Sequence, residues 1–311
     1  MAAGYRLCSY ALPGQAPRAG VVVEERAVDL EQALAGASGV RVPAPGWSSV
    51  LAVLQVWDAA REAIAGLAAG PRTARVASHP LSAVRLSAPI LYPGAVFGAG
   101  ANYRDHFREM RGEDPPARGN SQPYFFLKTS AHSIIGPEEA IRLPLHSAQV
   151  DWEAEIGAVI GRTARNLSAR EALSCVAGYL IVNDLSARDL FRRSDSPFPM
   201  DWIGQKCFDT SCPMGPWITP AEEIPDPQKL AIRLWVDDAL MQDSHSGEMI
   251  FSVAEQIAWL SRQLTLRPGD VISTGTPAGV GARRGTFLRP GSRVRIAIEG
   301  LGELCNPVVS E

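Results

Sequence analysis

The residues of this chain whose types and spacing suggest chemistry fall between positions 98 and 281. In VDWEAEIGAVIGR, Val150–Arg162, strand alternation puts Asp151, Glu153 and Glu155 on one face and Trp152, Ala154 and Ile156 on the other. Carboxylates stacked beside the apolar residues Ile156, Ala158, Val159 and Ile160 repel one another and lose hydration. A bound divalent cation relieves both costs, whereas an edge strand with a solvated acidic face needs no ion. All-oxygen ligands select a hard ion, Mg²⁺ with Mn²⁺ or Ca²⁺ as alternatives, over zinc. A further acid, Asp184, follows the apolar run Val176–Val182 in VAGYLIVNDLSARD, where a lone carboxylate needs a partner. It is a third candidate ligand, or else the N-cap of a helix over Ser186–Leu190.

In GAGANYRDHFREM, Gly98–Met110, His106 and Glu109 stand at i and i+3 on one face of a short predicted helix. A carboxylate beside an imidazole raises its basicity and orients it, as a general base requires; a surface ion pair is the plainer alternative. Gly98 and Gly100 form a GxG without a third glycine, so dinucleotide binding is a weak reading. Lys206, in GQKCFDTSCPMGPW, is a candidate to neutralise a substrate carboxylate or a developing enolate, or a plain surface charge. In the turn STGTPAGVG, Thr274 and Thr276 are candidate donors to an anion or carbonyl, and ordinary turn residues otherwise.

These segments need a β-rich scaffold. Short apolar runs separated by Pro/Gly turns predict strands at Ala95–Gly98, Tyr124–Lys128, Val150–Gly161, Val176–Asp184, Ala231–Asp237, Asp270–Thr274 and Val294–Ile298, with a helix over Ser252–Gln263. Before residue 80 the pattern differs: strands at Tyr5–Leu12 and Val21–Glu24, then an Ala-rich helix over Ser48–Ala69 stopped by Gly70-Pro71. The polar stretch Arg111–Gln122 reads as a mobile loop. The expected organisation is a small accessory domain at residues 1–85 and a catalytic domain at 86–311. At 311 residues, 46% hydrophobic, the chain has ample material for both. Lys+Arg 30 against Asp+Glu 33 gives net charge −3, which argues against a nucleic-acid or anionic-membrane partner. No run approaches a membrane span of ~20 apolar residues. Five scattered cysteines form no CxxC pair. The expectation is a soluble, cytoplasmic protein with free thiols.

The ordered blocks NYRDHFREM, FFLKTSAHSIIGP, VDWEAEIGAVIGR, GYLIVNDLSARD, KCFDTSCPMGPW, MIFSVAEQIAWLS and LRPGDVISTGTPAGVG, from Tyr92 to about Pro307, resemble the fumarylacetoacetate hydrolase family. The resemblance implies an α+β fold built as a mixed β-sandwich roll, with a small N-terminal α/β domain, in a homodimer. It implies metal ligands at Glu153, Glu155 and Asp184, a dyad of His106 and Glu109 on a lid segment, and a catalytic lysine at Lys206. Substrate would meet Arg188, Thr276 and the position of Phe191. The implied activity is divalent-metal-dependent C–C hydrolysis of a 2,4-dioxo, acylpyruvate-type acid through a metal-stabilised enolate. Decarboxylation, tautomerisation or hydration of a 2-oxo acid would use the same site, and a metal-binding homologue without catalysis is the non-enzymatic alternative. Two positions depart from the family pattern: Phe191 replaces a frequent glutamine three residues after Arg188, and His245 replaces a small polar residue. Both point away from the smallest acylpyruvates.

Overall fold

A computed structural model describes residues 4–34, 47–70, 78–116 and 119–311. Pro71, expected to stop the Ala-rich helix, and Ala117 and Arg118 of the expected loop lie outside the described residues.

Two sheets carry the fold, as the α+β reading expects. The larger has twelve strands among the described residues, with the order Ser78–Pro80, Arg26–Asp29, Arg18–Val23, Arg6–Ala11, Cys212–Pro220, Val176–Asn183, Ala154–Ile160, Val271–Ser273, Val96–Ala99, Phe125–Lys128; Arg85–Ser87 and Ile134–Ile135 pair beside it. The smaller has the order Ala239–His245, Ala231–Val236, Arg293–Ile298, Gly302–Ser310, Ile141–Leu143. Ala154–Ile160 lies deep in the larger sheet, antiparallel to both Val176–Asn183 and Val271–Ser273. Every residue of Ala154–Ile160 is buried, and its apolar side chains serve both faces. Ala154, Ile156, Ala158 and Ile160 pack with Ile232, Leu234, Val294 and Ile296 of the smaller sheet. Val159 packs on the other side with Leu180 and Val182.

That second cluster also contains Leu7, Val21, Val53, Leu54, Trp57 and Ile64. The N-terminal segment therefore shares a core with the strands that carry the site, and Arg6–Ala11 hydrogen-bonds to Cys212–Pro220. The Ala-rich segment forms two helices, Val50–Gln55 and Trp57–Ala69, separated at Val56, whose φ of −123° leaves the helical range. Ser252 caps the helix Val253–Gln263 in a capping box with Glu255. Among the described residues no helix is long and apolar enough to cross a membrane.

Candidate active site

The acidic segment is interrupted where sequence alternation predicts one continuous strand. Val150–Asp151 pairs with Ser186–Ala187 in a separate two-stranded ribbon, and the long strand starts again at Ala154. Asp151 is thereby drawn away from the other acids. It accepts hydrogen bonds from Gly281 N at 2.7 Å, Ala282 N at 3.0 Å and Arg188 Nε at 2.9 Å. Glu153 and Glu155 instead converge with Asp184, so that one carboxylate oxygen from each lies within 4.8 Å of the others. Asp184 does not cap a helix: it follows Val176–Asn183 directly, and Leu185 leads from it into the two-residue strand Ser186–Ala187.

Buried cations face this cluster. Lys206 Nζ donates to Glu153 Oε2 at 2.7 Å and to Asp184 Oδ2 at 2.6 Å. Arg188 Nη2 donates to Glu153 Oε1 at 2.6 Å. Lys128, which sequence reasoning did not single out, donates to Asp184 Oδ1 at 2.7 Å. Burial pushes Glu153 upward, but Lys206 and Arg188 outweigh it and hold the carboxyl well below the usual range. Glu155 goes the other way: burial, reinforced by Asp184 and Glu153, pushes its carboxyl well above the usual range. Its Oε2 accepts from Ser273 Oγ at 2.6 Å and Gly275 N at 2.9 Å, while Oε1 is buried with no hydrogen-bond partner. Four carboxylates (Asp151, Glu153, Glu155, Asp184) thus meet three cations (Lys128, Arg188, Lys206). The unpaired oxygen belongs to the acid without a cation partner. An all-oxygen cluster with an orphaned buried oxygen fits a hard divalent ion.

The dyad forms as the spacing suggests. Arg104–Arg111 is a helix ending at Gly112, whose φ of +76° suits a left-handed C-cap. Asp105 fastens its start by accepting Ser244 Oγ at 2.6 Å. His106 Nδ1 lies 3.3 Å from Glu109 Oε2, and both Glu109 oxygens accept Gly279 N at 3.1 Å. An ionised carboxylate only accepts, so this contact places the imidazole proton on Nδ1 and leaves Nε2 as the basic atom. Burial raises the Glu109 carboxyl, but the hydrogen bonds from His106 and Gly279 more than offset it, and the net shift is downward.

The remaining candidates make contacts within the protein. Thr276 Oγ1 donates to Ala154 O at 3.0 Å, so its proton is already used inside the protein. Thr274 Oγ1 likewise donates to Ile156 O at 2.8 Å. Arg188 donates Nε to Asp151 and Nη2 to Glu153. Phe191 sits edge-on against Trp202, with ring centroids 5.0 Å apart. Trp202 in turn stacks on Phe126 at 5.0 Å, and Lys206 Nζ lies 4.7 Å from the centre of the Phe126 ring. His245 is exposed, and its Nδ1 accepts Gly247 N at 3.0 Å, which makes it a turn cap. Alternation along Phe125–Lys128, with Phe126 and Lys128 buried and Leu127 exposed, is the one sequence signal that puts Lys128 and Phe126 on a common face.

The family model described as fumarylacetoacetate (FAA) hydrolase C-terminal matches residues 95–309, more than half of the chain. This chain belongs to the fumarylacetoacetate hydrolase family. Its segments that bear the acids, the dyad and Lys206 all lie within that match. It is 41% identical over 230 residues to the mitochondrial oxaloacetate tautomerase fahd2 of Xenopus laevis, covering 73% of this chain and 69% of the relative. Among solved structures, the maleylpyruvate hydrolase of Sphingobium sp. SYK-6, in complex with manganese(II) and pyruvate, superposes with TM-score 0.74 at 29% identity over 98% of this chain and 99% of that one. The fumarylacetoacetate hydrolase of Exiguobacterium antarcticum superposes with TM-score 0.79 at 30% identity, over 99% and 100% of the two chains. Family members are enzymes that include hydrolases, isomerases and tautomerases, so the shared fold leaves the reaction to be argued from the site.

Proposed function

We propose that this chain is a divalent-metal-dependent enzyme acting on 2-oxo acids by moving a proton to or from an enolate. The observation that carries the reading is the pairing of a buried base with a buried acidic cluster that has one uncompensated oxygen. Glu153, Glu155 and Asp184 would hold Mg²⁺ or Mn²⁺, which supplies Lewis-acid stabilisation of developing negative charge. The chain's own groups do the rest. Glu109, held by Gly279 N, orients His106 so that Nε2 is free to take a proton. Lys206 carries the positive charge that offsets an enolate oxygen, and burial keeps water from screening it.

Tautomerisation needs only these parts: one proton leaves the carbon beside the carbonyl and one reaches the oxygen. The 41% identity to an oxaloacetate tautomerase supports it. C–C hydrolysis of an acylpyruvate is the second reading, in which His106 would activate a water instead. The Sphingobium hydrolase, aligned over nearly its whole length, supports that one. A homodimer, testable by light scattering, is part of the proposal.

Two assays on the full chain separate the reactions, each run after EDTA treatment and after adding back Mg²⁺ or Mn²⁺. Ultraviolet absorbance follows the decay of enol-oxaloacetate, and loss of the 2,4-dioxo chromophore follows acylpyruvate cleavage. Metal-dependent acceleration of the first supports tautomerisation, and of the second, hydrolysis. No acceleration of either over buffer overturns the proposal.

A further inference from the structure

Gln242 lies on Ala239–His245, an edge strand of the smaller sheet, yet its side chain reaches the acidic segment of the larger one. It is fully buried, and both ends of its amide are used. Oε1 accepts Ala154 N at 2.9 Å, and Nε2 donates to Thr276 Oγ1 at 2.9 Å and to Pro277 O at 2.8 Å. Thr276 Oγ1 then donates back to Ala154 O at 3.0 Å, closing a ring of hydrogen bonds through Ala154, Gln242 and Thr276. Ala154 is the residue between Glu153 and Glu155.

The same turn carries the other half of the site. Gly279, two residues past Pro277, donates its N–H to Glu109 and accepts Trp152 Nε1 at 3.1 Å. Its φ is +106°, and a Cβ there would stand 2.0 Å from Met241 O, so the turn rests directly on the backbone beside Gln242. A glutamine is suited to this position. A carboxylate could not donate to both Thr276 and Pro277 and would add a fifth acid to the cluster; an apolar side chain would strand the buried N–H of Ala154 and the buried carbonyl of Pro277.

We propose that Gln242 is a positioning residue that locks the Glu153–Glu155 segment to the turn at 276–279, so that the acidic cluster and the His106–Glu109 dyad keep one fixed relation. This rests on the reading that the acidic cluster holds a divalent metal. Two measurements on the full-length protein test it.

The first is Mn²⁺ affinity by calorimetry, at a temperature where circular dichroism shows each variant folded. Gln242→Met is expected to weaken Mn²⁺ binding at least tenfold. Leu240→Ala, an exposed change on the same strand, is expected to stay within twofold of wild type. A folded Gln242→Met that binds Mn²⁺ within twofold of wild type overturns the inference, because a purely structural glutamine would lower the melting temperature and leave that affinity alone. A wild type that binds no Mn²⁺ overturns the metal reading, and this inference with it.

The second applies even where the variant fails to fold. Hydrogen exchange on wild type, with and without Mn²⁺, should show added protection at residues 150–160, 239–245 and 273–281 together. Protection gained at 150–160 without any at 239–245 overturns the lock.

Discussion

Lys128 and Asp184, 56 residues apart in sequence, form an ion pair of 2.7 Å in which neither side chain is more than 1% exposed. Lys128 comes from the outer strand Phe125–Lys128 of the larger sheet, whereas Asp184 follows Val176–Asn183 near its middle. The lysine also donates to Leu185 O at 3.2 Å, so it fixes both the carboxylate and the backbone beyond it. Removing one partner of a buried pair leaves the other charge uncompensated, which costs about 3–5 kcal/mol. Lys128→Met is expected to lose stability in that range by urea unfolding. Lys229→Met, which breaks the exposed Lys229–Asp226 pair, should change stability by less than about 0.5 kcal/mol. Equal small losses from both would show that the Lys128 pair is not sealed from water.

Glu155 is the ligand whose removal should be tolerated by the fold. Burial and its acidic neighbours disfavour its charge, so Glu155→Ala relieves repulsion while deleting a ligand. The expected result is loss of Mg²⁺ or Mn²⁺ affinity by calorimetry with the folded circular dichroism spectrum preserved. Undiminished affinity would remove Glu155 from the ligand set.

His106 and Glu109 are expected to act as a unit. Each alanine variant should lower kcat by about 10²–10⁴-fold, the usual range for a general base. The double variant should be little worse than either single one. Multiplicative losses would mean independent roles.

The lowered carboxyl of Glu109 has a pH signature. Folded Glu109 binds its proton more weakly than the unfolded chain does, so ionisation favours folding. That contribution is complete above the unfolded value of about 4.3 and disappears as pH falls through the lower folded value. The stability gap between wild type and Glu109→Gln should therefore be constant near neutrality and shrink below pH ~4. A gap that widened in acid would contradict the direction of the shift.

Phe191 packs its edge on Trp202, and Phe126 lies between Trp202 and Lys206. Phe191→Gln should cost about 0.5–1.5 kcal/mol from the aromatic pair, with a further loss for buried area. Preference between small polar and apolar-tailed 2-oxo acids should shift less than tenfold. A larger shift in kcat/KM at unchanged melting temperature would instead put the ring in contact with substrate.

Charge beside apolar strand residues was enough to nominate Asp151, Glu153, Glu155 and Asp184, because it is costly and has to be compensated, and helical spacing was enough to nominate His106 with Glu109. The choice of Glu153, Glu155 and Asp184 among the acids, and of Lys206, came from the family resemblance. The i, i+3 relation of the dyad and the strand preceding Asp184 depend only on local backbone geometry, so they too were legible. The break between Asp151 and Ala154 was not. It arises because Arg188, Gly281 and Ala282 capture Asp151 from distant parts of the chain. For Lys128 the only local signal is the strand alternation that groups it with Phe126. Neither it nor Gln242 shows its partners locally, since a buried lysine or glutamine reads like a surface one until strand pairing supplies them. The sharing of one core by the N-terminal strands and the sheet that bears the site likewise depends on pairing between Leu7 and Ile218. Short-range chemistry therefore nominated the acids and the base. Which oxygen is held by which cation, and which is left unpaired, was decided by contacts across long sequence separations that no local pattern encodes.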